Sequence, residues 1–200
     1  MEFVTDVAQL DAVYGAPAEA SLVKVADRLT PAYRKWIEAS QFCVISTVGP
    51  EGVDGSPRGD DGPVVQELDE FTLAMPDWRG NNRIDSLRNI VRDPRIALMF
   101  MVAGSNNVVR VNGDAKVTFD EQFRSRFSDK GRLPRSVIVI KINEVYSQCA
   151  RALMRANLWR GRPADVELPS VGDMLAELKA GFDGKTYDAA WGARAKDTMW

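Results

Sequence analysis

Two hundred residues, 45% of them apolar, suffice for one domain with a substantial core, and 26 basic against 28 acidic residues leave no general field that draws the chain to nucleic acid or a membrane. The chain has no histidine, which excludes Ser-His-Asp and Cys-His nucleophile systems, histidine metal sites and the usual near-neutral general base. If the chain is an enzyme, a bound cofactor carries the difficult chemistry and the protein orients it.

The N-terminus, Met1 to Leu10, has neither a basic start nor a long apolar run, so no signal peptide or membrane span is expected there. From Val7 to Ser40 the apolar spacing is helical: Val7, Leu10, Val13 and Tyr14 first, then Leu22, Val25, Ala26 and Leu29. Thr30 can cap a further helix, with Pro31 at its first position and Trp36 and Ile37 turned inward. This helical prelude, residues 1–40, gives way to β-branched and aromatic runs over 41–146.

The expected strands are Phe42 to Val48, Val64 to Leu68, Phe71 to Met75, Arg95 to Val102, Val108 to Phe119 and Ser136 to Val145, with turn formers at Gly49-Pro50-Glu51-Gly52, where a hairpin should begin, and at Ala103 to Asn107. Six strands with short antiparallel connections suit a closed barrel without a free edge. Asn81 to Asp93 predicts a bridging helix ended by Pro94, and Asp120 to Phe127 another short one. Residues 147–200 predict C-terminal helices: a basic one over Gln148 to Trp159, then two stretches between Ser170 and Trp200 separated near Gly181 to Gly184. The whole chain reads as a single domain, mainly β with helical additions. Cys43 and Cys149 lie far apart without a CxxC pair, so they read as reduced thiols of a cytoplasmic protein, and no metal site is expected.

Four segments concentrate polar groups where strands end or helices begin. Ser56-Pro57-Arg58-Gly59-Asp60 follows an expected strand and sets a phosphate-matching guanidinium among small residues, or else Arg58 pairs with Asp60 in an ordinary loop. Asn81-Asn82-Arg83 opens the bridging helix; an Arg in a first turn opposes the helix dipole unless an anion sits beside it or a carboxylate such as Asp77 or Asp85 answers it. Arg110 and Asn112 share one face of a strand, which is either a cofactor wall or a solvated outer face. Arg151, Arg155 and Trp159 recur at one-turn spacing and either wall a pocket or pack on their own domain. Trp78 and Arg79 stand just before the Asn pair, on a loop that can touch substrate or remain a plain turn.

In order, Phe42 to Val48, Gly52, Ser56-Pro57-Arg58-Gly59-Asp60, Thr72-Leu73-Ala74-Met75-Pro76, Asn81-Asn82-Arg83, Asp85-Ser86-Leu87, Asn89-Ile90, Pro94 and Arg110-Val111-Asn112-Gly113 resemble the pyridoxamine 5'-phosphate oxidase-like, FMN-binding split-barrel family. The likeness is greatest to an uncharacterised bacterial branch in which SPRGD and GNNR recur. The resemblance spans Phe42 to Phe119, with Gln148 to Trp159 as an addition. It implies a six-stranded split barrel that forms a homodimer, with FMN in clefts between the subunits and hydride transfer to or from an unidentified small molecule or electron donor. By the same resemblance Arg58 and Arg83 hold the phosphate with Asn82 and Ser86 beside it, and Ala74, Met75 and Pro76 line the flavin ring. Arg110 approaches the ring, and Trp159 and Arg155 reach the cofactor of the opposite subunit. Gly59, Asp60, Asn81 and Asn112, from the same motifs, complete the implied cofactor-binding set, and no catalytic residue is identified.

Two departures set limits. Val108 stands where the oxidase proper has glutamine, and a chain without histidine lacks its C-terminal Arg-x-His signature, so oxidation of pyridoxamine phosphate itself is not expected. The alternatives are a flavin-storing or sensing module without turnover, or a split barrel that takes deazaflavin F420. Haem is disfavoured because no axial ligand is evident.

Overall fold

The computed structural model describes residues 1–161 and 165–198. Among them, seven strands form one antiparallel sheet in the order β2-β1-β5-β6-β7-β4-β3: β1 Phe42–Gly49, β2 Gly52–Gly59, β3 Gln66–Asp69, β4 Thr72–Asp77, β5 Arg95–Met101, β6 Val108–Thr118 and β7 Ser136–Gln148. The strands form where alternation lets one face bury: Cys43, Ile45 and Thr47 point into the core from β1, as do Ile96, Leu98 and Phe100 from β5 and Val109, Val111 and Ala115 from β6. Chain reversal at each hairpin then curls these faces around a common core completed by Leu73, Met75, Ile138 and Ile140.

The expected six-stranded closed barrel needs correction on both counts. Gly52–Gly59, whose SPRG portion reads as loop in the sequence, pairs with β1 along its whole length, from Gly49↔Gly52 to Phe42↔Gly59. The misleading residue is Pro57, which a central strand does not accommodate but an edge strand does, because its missing N–H faces away from the partner. β2 is such an edge, and the other is β3; no ladder joins the two ends, so the sheet is open along one seam.

The helices are α1 Val7–Tyr14, α2 Glu19–Val23, α3 Pro31–Glu38, α4 Asp85–Arg92, α5 Glu121–Ser125, α6 Arg151–Ala156, α7 Val171–Leu178, α8 Gly184–Ala189 and α9 Trp191–Thr198. Thr30 caps α3 through its side chain on the Tyr33 N–H, and Ile37 is buried with Trp36 packed against the core. Val25, Ala26 and Leu29 are not helical as expected: Ala26 exchanges backbone hydrogen bonds with Val145 of β7, so strand pairing overrides the local period. Val7, Leu10, Val13 and Tyr14 of α1 are all exposed.

Helix α4 starts at Asp85, not at Asn81, and its Leu87 and Ile90 pack on the core while Asn89 donates to the Thr47 hydroxyl. The expected helix to Trp159 ends at Ala156, because Asn157 turns left-handed (φ 48°) and Leu158–Arg160 form a 3-10 turn. The C-terminal segment holds three helices in place of the two expected stretches, with α7 and α8 in contact at Gly172 and Gly184. Met199 and Trp200, the last two positions of the expected tail, lie outside the described residues. No helix among the described residues is long and apolar enough to cross a membrane.

Packing where β7 bulges at Asn143, opposite Asn112 and Gly113 of β6, leaves no room for a side chain: a Cβ on Gly113 would lie 2.1 Å from the Lys141 carbonyl oxygen, a backbone atom that cannot swing aside. Gly113→Ala should therefore cost roughly 2–3 kcal/mol, read as a lower urea midpoint. Burial pushes the Cys43 thiol up to about 12, against the lowering influence of Arg58, while Cys149 is exposed. Iodoacetamide at pH 8 should label Cys149 and spare Cys43 in the folded protein. Because the folded value of Cys43 is raised, its contribution to stability is intact below about pH 9 and declines as pH climbs toward 12, a loss that Cys43→Ala should not show.

Candidate functional site

The open seam between β2 and β4 holds a cleft of about 1040 Å³. Its position follows from strand alternation: Asp54, Ser56 and Arg58 sit opposite Thr47, Ile45 and Cys43, whose side chains point inward, so these three β2 residues share the inner face. With no strand paired beyond β2, that face looks across the seam toward Met75, Pro76 and Asp77 of β4.

Side-chain bonds span the gap where a ladder would otherwise run. Arg58 Nη1 donates to Asp77 Oδ1 at 2.5 Å, Trp78 Nε1 to Asp60 Oδ2 at 2.9 Å, and Ser86 Oγ to Asp54 Oδ2 at 2.6 Å. The Arg58 and Asp77 side chains are 23% and 11% exposed, so this ion pair is largely shielded from screening by water. Arg58 Nε is also buried and has no hydrogen-bond partner among the described residues. The part of the Arg58 side chain that stays exposed lies on the cleft wall, where a guanidinium is suited to an oxyanion.

The loop from Arg79 to Ile84 forms the rim. Asn82 (φ 64°) and Ile84 (φ 52°) both adopt the left-handed conformation, which for β-branched Ile84 is strained. The loop is held by Asn81 Oδ1, which accepts from the Arg83 N–H at 3.1 Å, and by Asn82 Oδ1, which accepts from Arg135 Nη1 at 2.6 Å. Ile84 takes the N-cap position of α4, and no side chain caps the first turn, so that end of the helix keeps its attraction for negative charge. Arg83, just ahead of the helix, is answered by Asp85 at 2.9 Å. The carboxylate alternative thus applies to Arg83, and Arg58 pairs with Asp77 instead of Asp60.

Nine expected site residues line this one cleft: Arg58, Gly59, Asp60, Met75, Pro76, Asn81, Asn82, Arg83 and Ser86. Trp78 and Arg79 do too. Ala74 does not, because its position on β4 points it to the opposite face, into a small cluster with Phe127 and Val137. Arg110 and Asn112 lie on the outer face of β6, where Arg110 stacks 5.3 Å from the Tyr146 ring and Asn112 donates to Glu144 at 2.6 Å. Arg155 bonds back to the Arg151 carbonyl at 3.3 Å, and Trp159 Nε1 donates to the Ser105 carbonyl at 2.7 Å, so neither faces the cleft of its own chain.

Sequence reading misses Asp54, Asp77 as the partner of Arg58, and Arg135, and it names Ser56 in the SPRGD segment without giving it a role. The strand period of β2 would find Asp54 and Ser56, which alternate with Arg58, did Pro57 not suggest a loop. Arg135 carries no local signal, because only the folding of β7 beside β4 brings it to the rim. Neither Arg79 nor Arg135 has a carboxylate within ion-pair distance among the described residues, while Asp54 and Asp60 accept from the neutral Ser86 and Trp78 donors and have no ion pair there, so the cleft keeps charges of both signs without an ion-pair partner.

Among known proteins, the family model for pyridoxamine 5'-phosphate oxidase matches residues 29–149. Curated proteins give no match. Similar solved structures include HupZ of Group A Streptococcus, 15% identical with a TM-score of 0.49, covering 60% of this chain and 93% of that one. Another is a Clostridium acetobutylicum protein related to general stress protein 26 of B. subtilis, of the pyridoxinephosphate oxidase family, 9% identical with a TM-score of 0.44, covering 58% of this chain and 85% of that one. An F420 reductase is 17% identical with a TM-score of 0.42, covering 58% of this chain and 98% of its own. The family model spans more than half of the chain, including the seam and every strand that borders it, and the chain belongs to the pyridoxamine 5'-phosphate oxidase family.

Proposed function

We propose that the seam cleft binds FMN in a homodimer and that the protein is a flavin-dependent oxidoreductase acting on a small molecule. The observation that carries this reading is the convergence of Arg58 and Arg83 on one cleft beside the uncapped start of α4. This donor set fits a phosphate monoester: Arg58 supplies a buried guanidinium, Arg83 and Arg135 supply charge at the rim, and the α4 amides supply oriented dipoles. Met75 and Pro76 offer an apolar wall for a flat ring. FMN, when bound, supplies hydride exchange at its ring N5.

The chain's own residues bind and orient. Asp77 fixes the Arg58 guanidinium so that it need not be ordered on binding, and Asn82 with Arg135 holds the rim loop. Support for a homodimer comes from the outer face of the sheet, where Val44, Met99, Arg110 and Tyr146 lie in register across β1, β5, β6 and β7. Phe42 and Met99 on that face are 39% and 36% exposed, and a second copy would cover them. Arg155 and Trp159 face away from their own cleft and lie on a surface that a second copy can cover.

One observation favours a second reading, a flavin-binding module without turnover. The carboxylates of the cleft are all engaged: Asp54 by Ser86, Asp60 by Trp78, Asp61 by Lys130, Asp77 by Arg58 and Asp85 by Arg83, which leaves none poised as a proton donor. Reduction by a nicotinamide followed by fast reoxidation with a small electrophile distinguishes the enzyme from the module. A deazaflavin such as F420 would use the same phosphate clamp, and release of the chromophore with mass measurement separates it from FMN.

The clamp has a direct test. Arg58→Gln and Arg83→Gln should each weaken FMN binding about tenfold and together about a hundredfold, with little effect on riboflavin, which lacks the phosphate. Flavin fluorescence quenching measures both ligands, and circular dichroism checks the fold. A folded double variant that retains full FMN affinity overturns the reading.

A further inference from the structure

The first 23 residues carry Glu2, Asp6, Asp11 and Glu19 and no Lys or Arg. Within them α1 is a finished helix: Asp6 Oδ1 accepts from the Ala8 N–H at its start, and Gly15, at φ 66°, closes its end with its N–H on the Asp11 carbonyl. Eight residues do not hold a helix in water by propensity alone, so packing must contribute. Yet Val7, Leu10, Val13 and Tyr14, at helical spacing, are 45–82% exposed, and Leu22 and Val23 of α2 are 60% and 75% exposed. The stability of this arm therefore comes from outside its own chain.

A surface of opposite charge lies at the end of β7. Residues 148–161 carry Arg151, Arg155 and Arg160 and no Asp or Glu, and expose Met154 (59%), Leu158 (50%) and Trp159 (39%). The arm is rooted beside it, because Ala26 exchanges both backbone hydrogen bonds with Val145, three residues or roughly 10 Å along the strand from Gln148. Within one chain the two segments do not cover each other, since both remain exposed. An anionic bilayer or a nucleic acid would repel the arm, whose charge is wholly negative.

We propose that the acidic apolar arm, residues 1–23, of one copy lies on the basic apolar surface, residues 148–161, of a second copy, and reciprocally. The exchange rests on the homodimer reading above. A two-fold axis beside the ends of the two β7 strands lets each arm cross once and doubles the apolar area buried, as an isologous contact does. Opposite charges fix the pairing, and the uncovered apolar groups of both segments supply the burial.

Two variants of the full chain test this: Glu2→Lys with Asp11→Lys and Glu19→Lys on the arm, and Arg151→Glu with Arg160→Glu on the receiving surface. Sedimentation equilibrium should show each alone dimerising on the order of tenfold more weakly than the wild type. An equimolar mixture should recover the wild-type constant, because each arm in the heterodimer then meets a surface of opposite charge. Removal of residues 1–23 should weaken the dimer similarly and serves if a charge variant does not fold. A monomeric wild type at micromolar concentration would sink the homodimer reading and this proposal together. A dimeric wild type whose variants all associate normally, or whose weakened variants gain nothing on mixing because each arm sits on its own chain, overturns the exchange alone.

Discussion

The contact on which the site depends is the ion pair between Arg58 and Asp77. It joins an edge strand to β4 where the sheet has no backbone ladder, so two halves of one barrel are held by side chains across a gap. Backbone ladders are strong, repetitive and closed to ligands; a few side-chain bonds leave room between them. The price is the desolvation of two charges, which is offset only while both partners remain in place. Asp54, Ser86, Asp60 and Trp78 continue the same row of bridges.

Charge compensation shapes what the cleft can attract. Arg58 and Arg83 are each matched by an aspartate, while Arg79 and Arg135 at the rim have no such match among the described residues. An approaching anion thus meets the Arg79 and Arg135 guanidinium groups at the mouth, with Asp54 and Asp60 as opposing charges on the walls, and an oriented, partly desolvated guanidinium further in. The first is sensitive to salt and favours capture; the second is less so and favours orientation.

Much of this is legible in the residues, for reasons that can be named. The β-branched alternation of β1, β5, β6 and β7 reports burial of one face and needs no tertiary knowledge, and Thr30-Pro31 states a helix start outright. β2 escapes such a reading because Pro57 carries the same local signal in an edge strand as in a loop, and only the position of the strand in the sheet tells them apart. The helical spacing at Val25, Ala26 and Leu29 is overridden by a pairing with Val145, so far along the chain that no window on the sequence contains both. The motifs SPRGD and GNNR find one cleft, whereas Arg135 joins it through the fold alone. Resemblance groups Arg110, Asn112, Arg155 and Trp159 with them, yet on the single chain these four lie elsewhere.

The seam also links occupancy to durability. A sheet opens most readily where its ladder is missing, so the weakest line through this barrel and the ligand cleft are the same place. A molecule that settles there acts as a rivet as well as a reagent: at a hundred times its dissociation constant it adds about 2.7 kcal/mol to the folded state. Under the proposed function, the lifetime of the protein is tied to the supply of whatever fills the gap.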